Sequence, residues 1–178
     1  MAIDSLALNR VSAAEARALL PGLGELLLAC VQDGASVSFV LPFDAEAARA
    51  FWRDKVLPPL EGGGLVLLVA MQDGRVAGSV QLDCDTPPNQ PHRAEIRKLL
   101  VHPDFRRRGI ARALMRAAEA AAVQAGRSLI TLDTRSGDNA EPLYASLGYR
   151  TVGRIPGFAR DARDPARLDA TTIMYKPL

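Results

Sequence analysis

The chain is poor in several features that would narrow its class at once. Only two of its 178 residues are cysteine, Cys30 and Cys84, so a disulfide scaffold is excluded. Met1–Ser5 lacks the basic start and apolar stretch of a secretion signal, so two free thiols and a cytoplasmic location are expected. No apolar run reaches the roughly 18 residues of a membrane span, and no membrane partner is expected. The formal net charge is only +2 and aromatics make up 5% of residues, too little for a broad nucleic-acid-binding face. Lysine is scarce, three against nineteen arginines. Four of those arginines fall between Arg106 and Arg112, a local anion patch on a nearly neutral protein.

What is present suits one globular domain, residues 1–178, long enough to bury a full core. Leu6–Val11 reads as a strand. The segment 13–32 has helical spacing, split or kinked at Pro21-Gly22. Residues 36–43 read as extended chain or loop. Asp44 is a plausible cap for a helix running to about Leu57, which Pro58-Pro59 should end. Residues 65–71 and 76–84 form a hairpin about Asp73-Gly74. A Pro-rich loop leads to a strand over 93–101, a helix from Arg108 to about Gln124 and a strand over 129–134. A short helix spans 140–147. The last two strands are expected at 149–152 and 170–175, joined by a loop over 153–169. A hairpin feeding a strand–helix–strand unit implies an α/β domain. Its sheet should be mixed and mostly antiparallel, with one central parallel pair.

The most informative stretch is Val101-His102-Pro103-Asp104-Phe105-Arg106-Arg107-Arg108-Gly109-Ile110-Ala111-Arg112. A strand ends, a glycine permits a tight turn, and an Ala-rich helix begins. The first N–H groups of a helix have no partner within it and point into the preceding loop. The arginines add positive charge. The pattern predicts a phosphate site. It is not a Walker-type loop, since no Gly-x-x-x-x-Gly-Lys follows a strand.

Arg106-Arg107-Arg108-Gly109-Ile110-Ala111 matches the acetyl-CoA signature of the GCN5-related N-acetyltransferases, and Leu143-Tyr144-Ala145-Ser146-Leu147-Gly148-Tyr149 matches their second motif. The resemblance covers about residues 65–175; residues 1–64 belong to the variable part of that family. His92-Arg93-Ala94-Glu95, Lys98-Leu99, Leu132-Asp133-Thr134, Val152-Gly153, Pro156-Gly157 and Thr172–Lys176 further resemble tabtoxin-resistance acetyltransferases, which acetylate a small amino-acid-like toxin. One departure is Gly137, where many members carry an Asn; Asn139 is nearby but out of register.

The resemblance implies a splayed central strand pair, acetyl-CoA as co-substrate, no metal, and a primary amine of a small molecule as acceptor, in a monomer or homodimer. The alternatives are a peptide or protein N-acetyltransferase and a non-catalytic acyl-CoA-binding module. Arg106, Arg108, Gly109, Ile110 and Ala111 would offer backbone N–H groups to the pyrophosphate. Arg107 and Arg112 would reach the ribose phosphate. Leu99, Leu100 and Val101 would face the pantetheine arm across a bulge, with an N–H near Leu99 or Leu100 as oxyanion donor. Tyr144 is the candidate general acid, since a phenol stays protonated at neutral pH. Glu95 and Asp133 are the candidate bases, each in an apolar strand whose burial would raise a carboxylate's pKa. As structural alternatives, Glu95 would pair with Arg93 or Arg97 and Asp133 would take a hydrogen bond. His92 is a weaker candidate base. The acceptor pocket is expected between Phe51 and Trp52 on one side and the segment 154–163 around Phe158 on the other, with Trp52 as core the equal alternative.

Overall fold

The computed structural model describes residues 6–178. Met1–Ser5, where the expected domain opens and where the lack of a leader was read, lie outside the described residues. The strands are β1 (Ala7–Val11), β2 (Leu65–Gln72), β3 (Arg75–Asp83), β4 (Arg93–Val101), β5 (Leu129–Arg135), β6 (Arg150–Arg160) and β7 (Leu168–Pro177). They form one seven-stranded sheet in the order β1-β2-β3-β4-β5-β7-β6. Every neighbouring pair is antiparallel except β4–β5, which is parallel. This is the mixed α/β sheet expected.

Helices cover both faces. On one lie α1 (Ala13–Ala18), α2 (Leu20–Gln32), α3 (Ala45–Phe51) and α4 (Leu57–Glu61). Ser12 and Glu15 cap α1 reciprocally, each satisfying a free N–H of the other. Pro21 sits in the first turn of α2, where its missing N–H costs nothing, so the proline does split the segment. The other face carries α5 (Ile110–Gln124) and α6 (Ala140–Ser146).

Each face has its own core. Val66, Leu68 and Ala70 of β2 pack with Ile110, Leu114, Met115 and Ala118 of α5. Their neighbours Leu65, Leu67 and Val69 pack with Leu23, Leu26, Leu27 and Trp52. A strand buried on both faces needs no polar alternation, which is why β2 reads as an unbroken apolar run. A glycine lets α5 seat on β3: a Cβ on Gly78 would stand 2.7 Å from the Leu100 carbonyl oxygen and 3.2 Å from Ile110.

Three expectations need correction. Pro58-Pro59 do not end the second helix. A π-helical turn, Trp52–Val56, re-registers the backbone, so Pro58 falls in the first turn of α4. The helix after the arginines starts at Ile110, not Arg108, because Gly109 holds a left-handed φ of +80°. Most of the expected loop over 153–169 is strand. β6 is an edge strand, and irregularities at 151–153 and 155–159 absorb Pro156 and Gly157, which no ladder bond would tolerate in a central strand.

One irregularity organises the site. Ser79 opposes Leu100 while Gln81 opposes Arg97, so Lys98 and Leu99 of β4 face the single residue Val80. Lys98 occupies this bulge with φ +49°. The bulge changes the phase of the strand. Ala94 and Ile96 belong to the α5 core, but Leu100 belongs to the opposite one, and Leu99 and Val101 pack on the α5 side. The parallel pairing of β4 with β5 runs only from Arg93–Leu129 to Glu95–Thr131. Beyond it the two strands part.

Candidate active site

The expected phosphate loop lies at the far end of β4. A short 3-10 turn, Pro103–Phe105, is followed by Arg107 at φ +64° and Gly109 at φ +80°. Among the described residues, the backbone N–H groups of 107–112 have no backbone acceptor. They stand at the N-terminus of a 15-residue helix, where the aligned peptide dipoles add positive potential. The Arg106 N–H is instead bound to the Pro103 carbonyl at 3.3 Å.

The arginine side chains divide. Arg106 pairs with Asp33 at the end of α2. Arg108 lies over the Phe105 ring at 5.4 Å and reaches the Asp104 carbonyl. Arg112 donates to Ser146 Oγ at 2.9 Å, tying α5 to α6. Arg107 is exposed, with no hydrogen bond or ion pair among the described residues.

Where β4 and β5 part, a cavity of about 440 Å3 opens. Its walls include residues 35–38, Glu95 through Leu99 of β4, Asp133 through Arg135 of β5, Tyr144 of α6, and Phe158 of β6. The structure therefore brings Glu95, Asp133 and Tyr144 to one space, with Leu99 beside them. Phe158 is there as expected. Trp52 is not: it is 1% exposed and belongs to the core beneath α2. His92 is exposed and outside the cavity wall.

Neither carboxylate is buried in the apolar setting the strands suggested. Asp133 is exposed to the cavity and accepts a hydrogen bond from Thr171 Oγ1 at 3.0 Å; it makes no ion pair among the described residues. Glu95 is half-buried between Arg97 at 3.2 Å and Arg93 at 3.7 Å. Tyr144 is 5% exposed, its ring edge-on to Tyr149. Burial first, then the charges of Asp133 and Asp138, push its phenol pKa far above the usual value. It is a neutral donor at any physiological pH, and among the described residues its hydroxyl makes no hydrogen bond. Gly137 holds φ +78° and gives its N–H to Glu141 Oε2 at 2.8 Å, while Asn139 is exposed at the start of α6.

Neither cysteine is placed to be a ready thiolate at neutral pH. Burial pushes the Cys30 thiol up to about 11 and raises Cys84 as well. No group of three or more His, Cys, Asp or Glu among the described residues is placed to hold a metal. None of their helices is long and apolar enough to cross a membrane.

Sequence reasoning missed the segment 35–38 and Lys98 as walls of the cavity. A signal for Lys98 existed. It stands in phase with Ala94, Ile96 and Leu100, where period-2 alternation puts a lysine in the core unless the strand bulges.

Comparison with known proteins adds to this geometry. The profile of the acetyltransferase (GNAT) family matches residues 22–149. An acetyltransferase of Pectobacterium atrosepticum is 39% identical over 91 residues, covering 51% of this chain and 61% of that relative, less than two thirds of its length. The YncA protein of Salmonella typhimurium, solved with its cofactor acetyl-CoA, has a TM-score of 0.74 at 19% identity, covering 98% of this chain and 94% of that one. The ribosomal-protein-alanine N-acetyltransferase of Brucella melitensis has a TM-score of 0.76 at 21% identity, covering 97% and 99%. Likeness at those identities speaks for the fold.

Proposed function

The chain belongs to the GNAT acetyltransferase family, and from that premise we propose that it moves the acetyl group of acetyl-CoA to the primary amine of a small molecule. The carrying observation is the arrangement about β4. Six consecutive free N–H groups stand at one end of the strand, and a cavity holding Tyr144 and Asp133 opens where it leaves β5.

The loop fits a pyrophosphate. The N–H groups of 107–112 would hold it, helped by the helix dipole and the free guanidinium of Arg107. Acetyl-CoA supplies an acetyl group already activated as a thioester. Backbone groups of Leu99, Leu100 and Val101 would align the pantetheine arm, and an N–H near Leu99 or Leu100 would stabilise the oxyanion. Asp133, in no contact ion pair among the described residues, would take the amine proton, directly or through water. Glu95 would set the Arg97 and Arg93 guanidinium groups beside it. Tyr144 would hand its proton to the departing thiolate.

The tabtoxin-resistance resemblance favours a small acceptor over a peptide, and the cavity whose walls include 35–38 and Phe158 is where it would sit. An amino-acid-like toxin, the class to which the tabtoxin-resistance resemblance points, fits that space. The test is a thiol-release assay with acetyl-CoA across small amines and short peptides. Turnover confined to peptides would overturn the small-molecule reading. Acetyl-CoA binding without turnover on any amine would favour a binding module.

A further inference from the structure

Three cations line the cavity, and the fold treats them differently. Arg97 is committed to Asp83 at 2.8 Å and to Glu95 at 3.2 Å. Arg135 is committed to Asp138 at 3.1 Å, Asp161 at 3.3 Å and Asp169 at 3.7 Å. Lys98 forms no ion pair among the described residues. Its ammonium makes one hydrogen bond, to Ser38 Oγ at 2.8 Å, and lies 5.8 Å and 5.7 Å from the ring centres of Phe39 and Phe51. An ammonium has three donors, so two remain. The carboxylates show the same division. Glu95 and Asp138 are paired, whereas Asp133, among the described residues, makes one side-chain hydrogen bond, from the Thr171 hydroxyl, and no contact ion pair.

Among the described residues the fold thus leaves one cation and one anion outside any contact ion pair, on two strands that part around one cavity and within electrostatic reach of each other. A half-buried ammonium between aromatic rings is costly without an anion in contact; desolvation and the Arg97 charge push the Lys98 pKa down, and the Asp133 charge only partly offsets them. Its backbone is costly too, because a lysine at φ +49° occupies a conformation that side chains disfavour. A structural role alone would be filled by glycine or asparagine at that bulge. What a lysine adds is charge delivered into the cavity.

We propose that Lys98 is a specificity-determining residue that binds a carboxylate of the acceptor, whose amine stands at Asp133. The acceptor class is then an amino-acid-like zwitterion, not a simple or cationic amine. The amine half rests on the acetyl-transfer reading above. The carboxylate half stands on Lys98 alone, and the two can fail separately.

The experiment pairs each of the common L-amino acids with its α-carboxamide, which keeps the amine and removes the anion. With acetyl-CoA as donor, the wild-type enzyme should favour carboxylate members by about tenfold or more in kcat/KM, the range of a hydrogen bond to a charged group. Lys98→Met should reduce that ratio to within about twofold through KM of the carboxylate member, and Lys98→Arg should restore part of it. A wild-type enzyme indifferent to the carboxylate, or a preference that persists in Lys98→Met, overturns the assignment.

A second arm needs neither turnover nor a folded variant. The wild-type protein with coenzyme A is titrated with the N-acetyl derivatives of the same pairs, following the 13Cε resonance of Lys98. A saturable shift with carboxylates and none with carboxamides supports the site. If that shift appears while no amine is acetylated, the acetyl-transfer reading fails for this class and the carboxylate site stands. If turnover occurs without the shift, the reading stands and the Lys98 assignment falls. If neither appears, both fall.

Discussion

The Lys98 ammonium donates to Ser38 Oγ at 2.8 Å, and both residues hold left-handed backbone, at φ +49° and +79°. Each such conformation costs a non-glycine residue about 1–2 kcal/mol. One hydrogen bond therefore joins two disfavoured points, the bulge of β4 and the segment after α2. They meet at the cavity wall, and the surrounding fold holds both in place.

Gly109→Val should abolish acetyl-CoA binding while leaving the protein folded. The position needs φ +80°, which a β-branched residue resists, and the N–H groups of 107–112 depend on that turn. Calorimetric titration should show affinity lower by at least about 100-fold, an amount that losing two charge-assisted hydrogen bonds would supply. Undiminished binding removes the loop from the donor site.

Tyr144→Phe should lower kcat by about 100-fold or more, the low side of general acid catalysis, with the melting temperature nearly unchanged. The hydroxyl makes no hydrogen bond among the described residues, so its loss leaves no partner stranded. A normal kcat would exclude Tyr144 from the proton path.

Asp133→Asn should lower kcat/KM more than Glu95→Gln. Asp133 makes no contact ion pair among the described residues, with Lys98 and Arg97 acting on it only at a distance, whereas Glu95 is held by Arg93 and Arg97. Acetyl-CoA affinity should be the same in both variants. The reverse order of activities would make Glu95 the base.

Stability should fall in alkali through Cys30, whose Sγ lies 3.5 Å from the Val101 carbonyl. Burial raises this thiol from 9.0 to about 11 in the folded protein. Its contribution is complete below the unfolded value and declines as pH rises from there through the folded one, at about 1.4 kcal/mol per pH unit. Urea unfolding at pH 8 and pH 11 should show the loss, and Cys30→Ala should reduce it. An identical slope in the variant would refute this source.

Gly78→Ala should destabilise the fold by about 1–3 kcal/mol in urea unfolding, the cost of overpacking a tight contact. A methyl group there meets the Leu100 carbonyl oxygen at 2.7 Å, and backbone in a sheet cannot swing aside.

Legibility in the sequence followed locality. The β2–β3 hairpin was readable because Asp73-Gly74 settles it within four residues. The turn from β4 into α5 was readable because strand end, glycine and helix start are contiguous. Trp52 was ambiguous because nothing near it reveals that α2 and β2 close over it. Pro58-Pro59 and Pro156-Gly157 misled for the converse reason: a π-helical turn and a sheet edge, both set by distant packing, excuse residues that local rules count as breakers. The bulge at Lys98 left a trace as a lysine in core phase. Its partner Ser38, sixty residues earlier, carried no such mark.

The donor loop and the acceptor cavity differ in what they are made of. Under the proposed function the loop would work through main-chain N–H groups, which every residue but proline possesses, so most single substitutions at 107–112 would leave its donors in place. The cavity would work through named side chains, each removable by one codon change. Random mutation should therefore erode choice of acceptor long before it erodes grip on the donor, and a library drawn over 35–38, 95–99 and 133–138 is the efficient route to new acceptors on an unaltered donor platform.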